Sequence, residues 1–191
     1  RDVIGERSFG GSEKKITDYS KIFINETQSY NIIATAKHFP GHGMAKGDSH
    51  KSLVYIDGEL KELRVYEELI KNKEVISIMV GHIAVKNNEN GYNTDNYPAT
   101  LSKKIVTDLL KNDMKFKGIV ITDGMNMGAL NSFSTPSFKA VEAGCDMILM
   151  PSDEEQLFNS IFGKFNNPDF RNQIYDSVKK IIRAKVCLGM V

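Results

Sequence analysis

Residues 37–50 read KHFPGHGMAKGDSH and hold three of the chain's four histidines, His38, His42 and His50, together with Lys37 and Asp48. Two chemistries fit. A metal site would take the three histidines as ligands. The spacing of His38 and His42 suits one helix face, but Pro40 and Gly41 between them argue against a helix there. The other chemistry is acid–base. Asp48 and His50 flank Ser49, so an extended backbone would send both side chains to the same side. A carboxylate beside an imidazole fixes its tautomer and favours the protonated ring, which makes a proton donor near neutral pH. For any one histidine alone, a solvated polar loop is the competing reading. For the cluster as a whole it is the weaker one.

A second reactive candidate is Asp123, which follows the apolar run KGIVIT at residues 117–122. An aspartate at a strand end also serves as a helix cap or turn residue. His82 stands just past another apolar run, EVISIMV at residues 74–80. Read by itself, it is a core-edge histidine bonded to backbone. Arg7 lies in the glycine-bearing segment RDVIGERSFGG at residues 1–11. Read by itself, it is a surface arginine.

The elements that must carry these residues alternate. Apolar runs at 31–39, 74–80, 117–122 and 144–150 read as buried strands, and 53–56 as a short run that could be extended. Helical spacing marks 12–30, 58–72, a segment from the PATLS string at 98–102 to about Met114, 134–143, 152–162 and 169–188. Ser152 and Glu155 form a capping-box pattern, and Gly189 is placed to end the last helix. Residues 85–100 read as a long polar loop. Strands alternating with helices argue for a parallel α/β sheet. Lys37, His38, His82 and Asp123 all fall at strand C-terminal ends, where a TIM barrel or an open α/β sheet places its site.

The bulk numbers are those of a single globular domain. With 191 residues and 41% hydrophobic content the chain can build a core. A net charge of +1 gives no electrostatic pull toward nucleic acid or an anionic membrane. No apolar run approaches a membrane span. Cys145 and Cys187 lack metal-type spacing and read as small apolar residues rather than a disulfide pair. No signal-peptide pattern opens the chain, which leaves its location, cytoplasmic or exported, undecided.

The string KHFPGHG followed by DSH resembles the signature of glycoside hydrolase family 3, in its bacterial β-N-acetylglucosaminidase branch. The segments GERSFG, PATLS and ITDGMNMGAL extend the resemblance over nearly all of residues 1–191. It implies a TIM-like (β/α)8 catalytic barrel. Such a barrel needs eight strands and about 250 residues, so the chain would be its later half, with the early strands missing. The partner implied is the N-terminal half of the same barrel. A half-barrel alone would expose strand edges and a core face.

The resemblance also implies roles. Asp123 is the nucleophile, and His50 with its partner Asp48 is the acid/base. Arg7, Lys37 and His38 bind the sugar, and His82, Met79 and Met127 line its pocket. Many members carry Asp, Trp or Tyr directly after the nucleophile, where this chain has Gly124, so the local pocket differs. The activity implied is retaining hydrolysis of a terminal β-linked N-acetylglucosamine, from peptidoglycan fragments or amino-sugar oligosaccharides, with no metal or organic cofactor. The alternatives are a related exo-β-glycosidase, a phosphorylase, or an inactive sugar-binding fragment.

Overall fold

The computed structural model describes Gly5, residues 8–43, Ala45, residues 48–72 and residues 74–191. Three short strands form the central parallel sheet: β1 (Thr35–Phe39), β3 (Ser77–Val80) and β5 (Ile119–Thr122), in that spatial order. A second parallel pair joins β2 (Val54–Asp57) to β4 (Ile83–Lys86). The helices are α1 (Glu13–Ser29), α2 (Leu63–Lys71), a π-helix (Lys104–Asp113), α3 (Pro136–Ala143), α4 (Glu154–Gly163) and α5 (Pro168–Cys187).

The parallel α/β reading holds, and three of the expected strand ends stand where expected: Phe39, Val80 and Thr122. Residues 144–150 do not form a regular strand. They meet β5 through one parallel bridge, Ile121 to Met147, with Thr122 N–H donating to Met147 O at 3.1 Å. Strand β4 falls where the sequence reads as the edge of a loop. Only Gly81 and His82 separate it from β3, too little to show a break between two apolar runs. Among the described residues the strands form these two open sheets.

Helix ends follow local capping chemistry. Ser12 caps α1 by accepting from Lys15 N–H at 3.3 Å. Asn167 caps α5 by accepting from Phe170 N–H. The cap of α4 is Asp153, accepting from Gln156 N–H at 2.8 Å, and not Ser152 as the capping-box pattern suggested. A carboxylate there also opposes the positive end of the helix dipole, which strengthens the choice.

The core lies on one side of the central sheet. Phe39, Ile78, Val80 and Val120 are fully buried against Tyr66, Leu69, Ile105, Val106 and Leu110. The opposite face carries Lys37, Met79, Ile121 and Met147 in one register row across the strands. That row is only partly covered, with Met147 39% exposed. Helix α4 has no buried residue, and Phe158 and Phe162 stack on its surface. On α5, Val178, Ile182 and Val186 are exposed.

One buried cluster ties the far end of the sheet to its helices. The Asp146 carboxylate, 1% exposed, meets Lys111 Nζ and Lys180 Nζ at 3.0 Å each. It also accepts from Ser177 Oγ at 2.7 Å and from Val120 N–H at 2.8 Å. Burial alone would push this carboxyl up, but the two ammonium groups and the donors more than offset it, and its pKa is lowered. Lys180, buried and crowded by Lys111, is pulled below the usual lysine range despite its bond to Asp146. The carboxylate is therefore the charge the cluster is built to hold, with two cations on one anion.

Candidate active site

Asp123 leaves β5 at its C-terminal end. Its N–H donates to Val80 O at 2.9 Å, which continues the sheet pairing one residue past the strand and fixes the Cα. The side chain is 17% exposed. Oδ1 accepts from the next residue's N–H, Gly124, at 2.8 Å. Oδ2 faces His38 Nε2 at 3.7 Å, an electrostatic contact too long for a hydrogen bond. The sheet thus brings His38 and Asp123 together although they lie on strands two places apart in the sheet. Gly81, just past the end of the intervening strand, lies close against His38: a methyl group there would stand 3.1 Å from His38 Cβ.

Asp48 and His50 form the expected pair, by a different backbone route. The segment is a turn and not an extended strand, with Lys51 N–H donating to Asp48 O at 3.0 Å. Asp48 Oδ1 accepts from the His50 backbone N–H at 2.9 Å and from its ring Nδ1 at 2.8 Å. These two bonds hold the Asp48 carboxyl below the usual carboxylate range, the backbone donor contributing most. With Nδ1 donating to a carboxylate, Nε2 is the ring nitrogen turned outward, on a side chain 62% exposed.

Ser49, between them, points inward and is buried. Its hydroxyl meets His42 Nε2 at 3.1 Å. The His42 ring packs edge-on to His38, with centroids 5.5 Å apart. The third histidine of the cluster is therefore a buried prop, whose task only the fold reveals. Among the described residues no group of three His, Cys, Asp or Glu side chains is arranged to hold a metal.

The loop after Asp123 touches the loop of His50. Gly128 N–H donates to His50 O at 3.0 Å. A methyl on Gly128 would fall 2.7 Å from both His50 O and Lys51 O, so the contact requires glycine. The two loops that bear the candidate reactive groups are thus joined backbone to backbone. Thr100, Ser49 and Gly128 were not singled out as functional from the sequence. Each lies inside a signature string, Ser49 in DSH, Thr100 in PATLS and Gly128 in ITDGMNMGAL, but no string marks its task.

The remaining candidates divide. Lys37 is exposed on the partly covered face of β1, beside Met79 in register. Met127 is buried at the end of the Asp123 loop and packs beside Gly124. His82 is fully buried, and both ring nitrogens have protein partners: Thr100 Oγ1 at 2.8 Å and Gly124 O at 2.9 Å. No nitrogen of this ring is left for a sugar hydroxyl. Arg7 lies outside the described residues.

A parallel α/β sheet with a carboxylate and a carboxylate–imidazole pair gathered at strand C-termini defines a class of enzyme-like scaffolds. The chain belongs to glycosyl hydrolase family 3: the family's N-terminal domain matches residues 1–184. It is 33% identical over 167 residues to a β-hexosaminidase of Photobacterium profundum, covering 84% of this chain and 48% of that protein. To a β-hexosaminidase of Haemophilus influenzae it is 30% identical over 179 residues, 88% of this chain and 49% of that one. The chain spans about half the length of the curated relatives it matches. Among solved structures, a family 3 β-N-acetylglucosaminidase from Paenibacillus sp. FPU-7 superposes with a TM-score of 0.87 at 28% identity, over 98% of this chain and 37% of that one. CbsA from Thermotoga neapolitana gives 0.83 at 26%, over 95% and 43%.

Proposed function

We propose that the protein is a retaining exo-β-N-acetylglucosaminidase acting on terminal β-linked N-acetylglucosamine, in peptidoglycan fragments or amino-sugar oligosaccharides. One observation carries the reading: the Asp48–His50 pair, with Nε2 turned outward, is tied through His50 O to the loop of Asp123. An Asp123 oxygen attacks the anomeric carbon as the glycosidic C–O bond breaks. His50 Nε2–H gives its proton to the departing oxygen. Water then attacks the same carbon, its proton passes to Nε2, and the ester bond to Asp123 opens. Asp48 holds the ring's tautomer and steadies its charge when protonated. Lys37, His38 and Arg7 bind hydroxyls and the acyl group, and Met127 packs along the pocket wall.

The half-covered sheet face and the exposed apolar residues of α4 and α5 support a further part of the same reading. The strands that complete the barrel cover them, in the protein at its full natural length. The names of the relatives support the sugar, and their length supports the complement.

The test uses leaving groups in that full-length protein. His50→Ala should cripple hydrolysis of N-acetylglucosaminides with poor leaving groups, which need a proton on departure. It should slow glycosylation far less for activated aryl glycosides, which leave as stable phenolates. Equal loss on both kinds, with folding intact, would remove His50 as the proton donor. Product analysis with and without phosphate separates hydrolysis from phosphorolysis.

A further inference from the structure

We infer that His82 is a positioning residue for the nucleophile loop, forming with Thr100 a buried clamp on the Gly124 peptide. The inference rests on the reading of Asp123 as the nucleophile. The Gly124 carbonyl can only accept, so His82 Nε2 carries the hydrogen in that 2.9 Å bond. Nδ1 is then unprotonated and accepts from the Thr100 hydroxyl at 2.8 Å. Both partners are wholly buried, at 0% exposure. Burial lowers the His82 pKa, outweighing the opposing pull of Gly124 O and Asp123, which keeps the ring neutral and this tautomer in place.

The clamp acts on Asp123 through one residue. Gly124 N–H holds Asp123 Oδ1, and Gly124 O is held by His82. A glycine has no side chain to restrain its dihedrals. The 124–125 peptide is held at both ends, its carbonyl by His82 and its N–H, that of Met125, by Leu149 O at 2.9 Å. Without the His82 bond, rotation about the Gly124 backbone is freer, and the 123–124 peptide that carries the Gly124 N–H can turn away from the carboxylate. Thr100 in turn is fixed by its place in the buried turn Ala99–Leu101, next to Cys145, whose thiol reaches Thr100 O at 3.7 Å. The result is a directed chain from Thr100 to His82 to Gly124 to the Asp123 carboxylate. It assigns to His82 the orientation of the reacting group and not contact with the sugar.

The substitutions separate geometry from bulk. His82→Gln keeps an N–H donor near the Nε2 position, whereas His82→Leu keeps volume and loses the donor. Thr100→Val removes only the hydroxyl, and Thr100→Ser retains it. In the full-length protein, His82→Leu should lower kcat on an aryl β-N-acetylglucosaminide by about a hundredfold, the scale of a small misplacement of a reacting group. KM should hardly move, and His82→Gln should recover much of the loss. Independently of any activity, amide hydrogen exchange at Gly124 should quicken in His82→Leu and stay slow in His82→Gln, with Val120 and Ile121 amides unchanged in both. The His82 ring ¹⁵N shifts should report the Nε2–H tautomer in the parent and in Thr100→Ser, and a mixture in Thr100→Val. An unchanged kcat in folded His82→Leu, or Gly124 exchange that does not respond, would overturn the clamp. If the parent turns over no N-acetylglucosaminide while the exchange pattern appears as described, the activity reading fails and the clamp stands.

Discussion

Two aspartates flank the same segment of sheet and share one kind of bond, from a backbone N–H, but little else. Asp146 sits at the start of the 145–149 segment beside β5, nearly sealed from solvent. It has two lysines, a serine hydroxyl and a backbone N–H around it. Asp123 sits at the other end of β5, partly exposed, with one backbone N–H on Oδ1 and an imidazole 3.7 Å from Oδ2. A carboxylate with every lone pair engaged and two cations beside it is a poor nucleophile and a good anchor. One held by a single donor, on a fixed backbone, keeps an oxygen for chemistry. The difference in bonding, and not residue type or strand location, separates the anchoring aspartate from the one proposed as nucleophile.

The comparison breaks most visibly by removing each carboxylate. Asp123→Asn should lower turnover of an aryl N-acetylglucosaminide on the order of 10⁴-fold in the full-length protein, with little change in thermal stability. A mechanism-based fluorinated sugar should label Asp123, and labelling at Asp146 would reverse the two assignments. Asp146→Ala should act the other way. It leaves two partly buried ammonium groups without their counter-ion, so urea unfolding should show a loss of up to about 3 kcal/mol, the low end for a fully buried pair. Activity per folded molecule should be nearly unchanged; a fall like that of Asp123→Asn would end the distinction.

Gly128→Ala sharpens the contrast on the site side. Its methyl would press on His50 O and Lys51 O and displace the loop of the proposed acid/base. Hydrolysis of poor leaving groups should fall roughly tenfold to a hundredfold, with a smaller effect on activated aryl substrates. Equal rates in parent and variant would show that the two loops are not mechanically joined.

The smallest expected effect is in acid. Asp146 has a folded-state pKa below its ordinary value of 3.8. Its contribution is therefore fully present above the unfolded value and is lost as pH falls through the lowered folded one. Melting temperature followed downward from pH 5 should drop less steeply in Asp146→Asn than in the parent. Parallel slopes would mean that the cluster contributes no pH-linked stability.

Much of the site was legible in the chain because its signals are local. Asp48 and His50 are two residues apart, and a single turn suffices to pair them. Asp123 follows an apolar run, so its place at a strand end follows from burial alone. Strand β4 was hidden because only Gly81 and His82 separate it from β3. The cap of α4 was misplaced by one residue because Ser152 and Asp153 are both good caps, and only the backbone path chooses between them.

What the sequence by itself determined is the alternation of strands and helices, the family signature and the residue types gathered near 37–50 and 123. Short-range spacing and side-chain chemistry suffice for those. The tertiary structure alone decided which histidine does what. His38 meets Asp123 across a strand that lies between them, His42 turns inward to Ser49, and His82 meets Thr100 and Gly124 from 18 and 42 residues away. Those partners come together only when strands pair in register, and a ring nitrogen's task is set by the partner that reaches it.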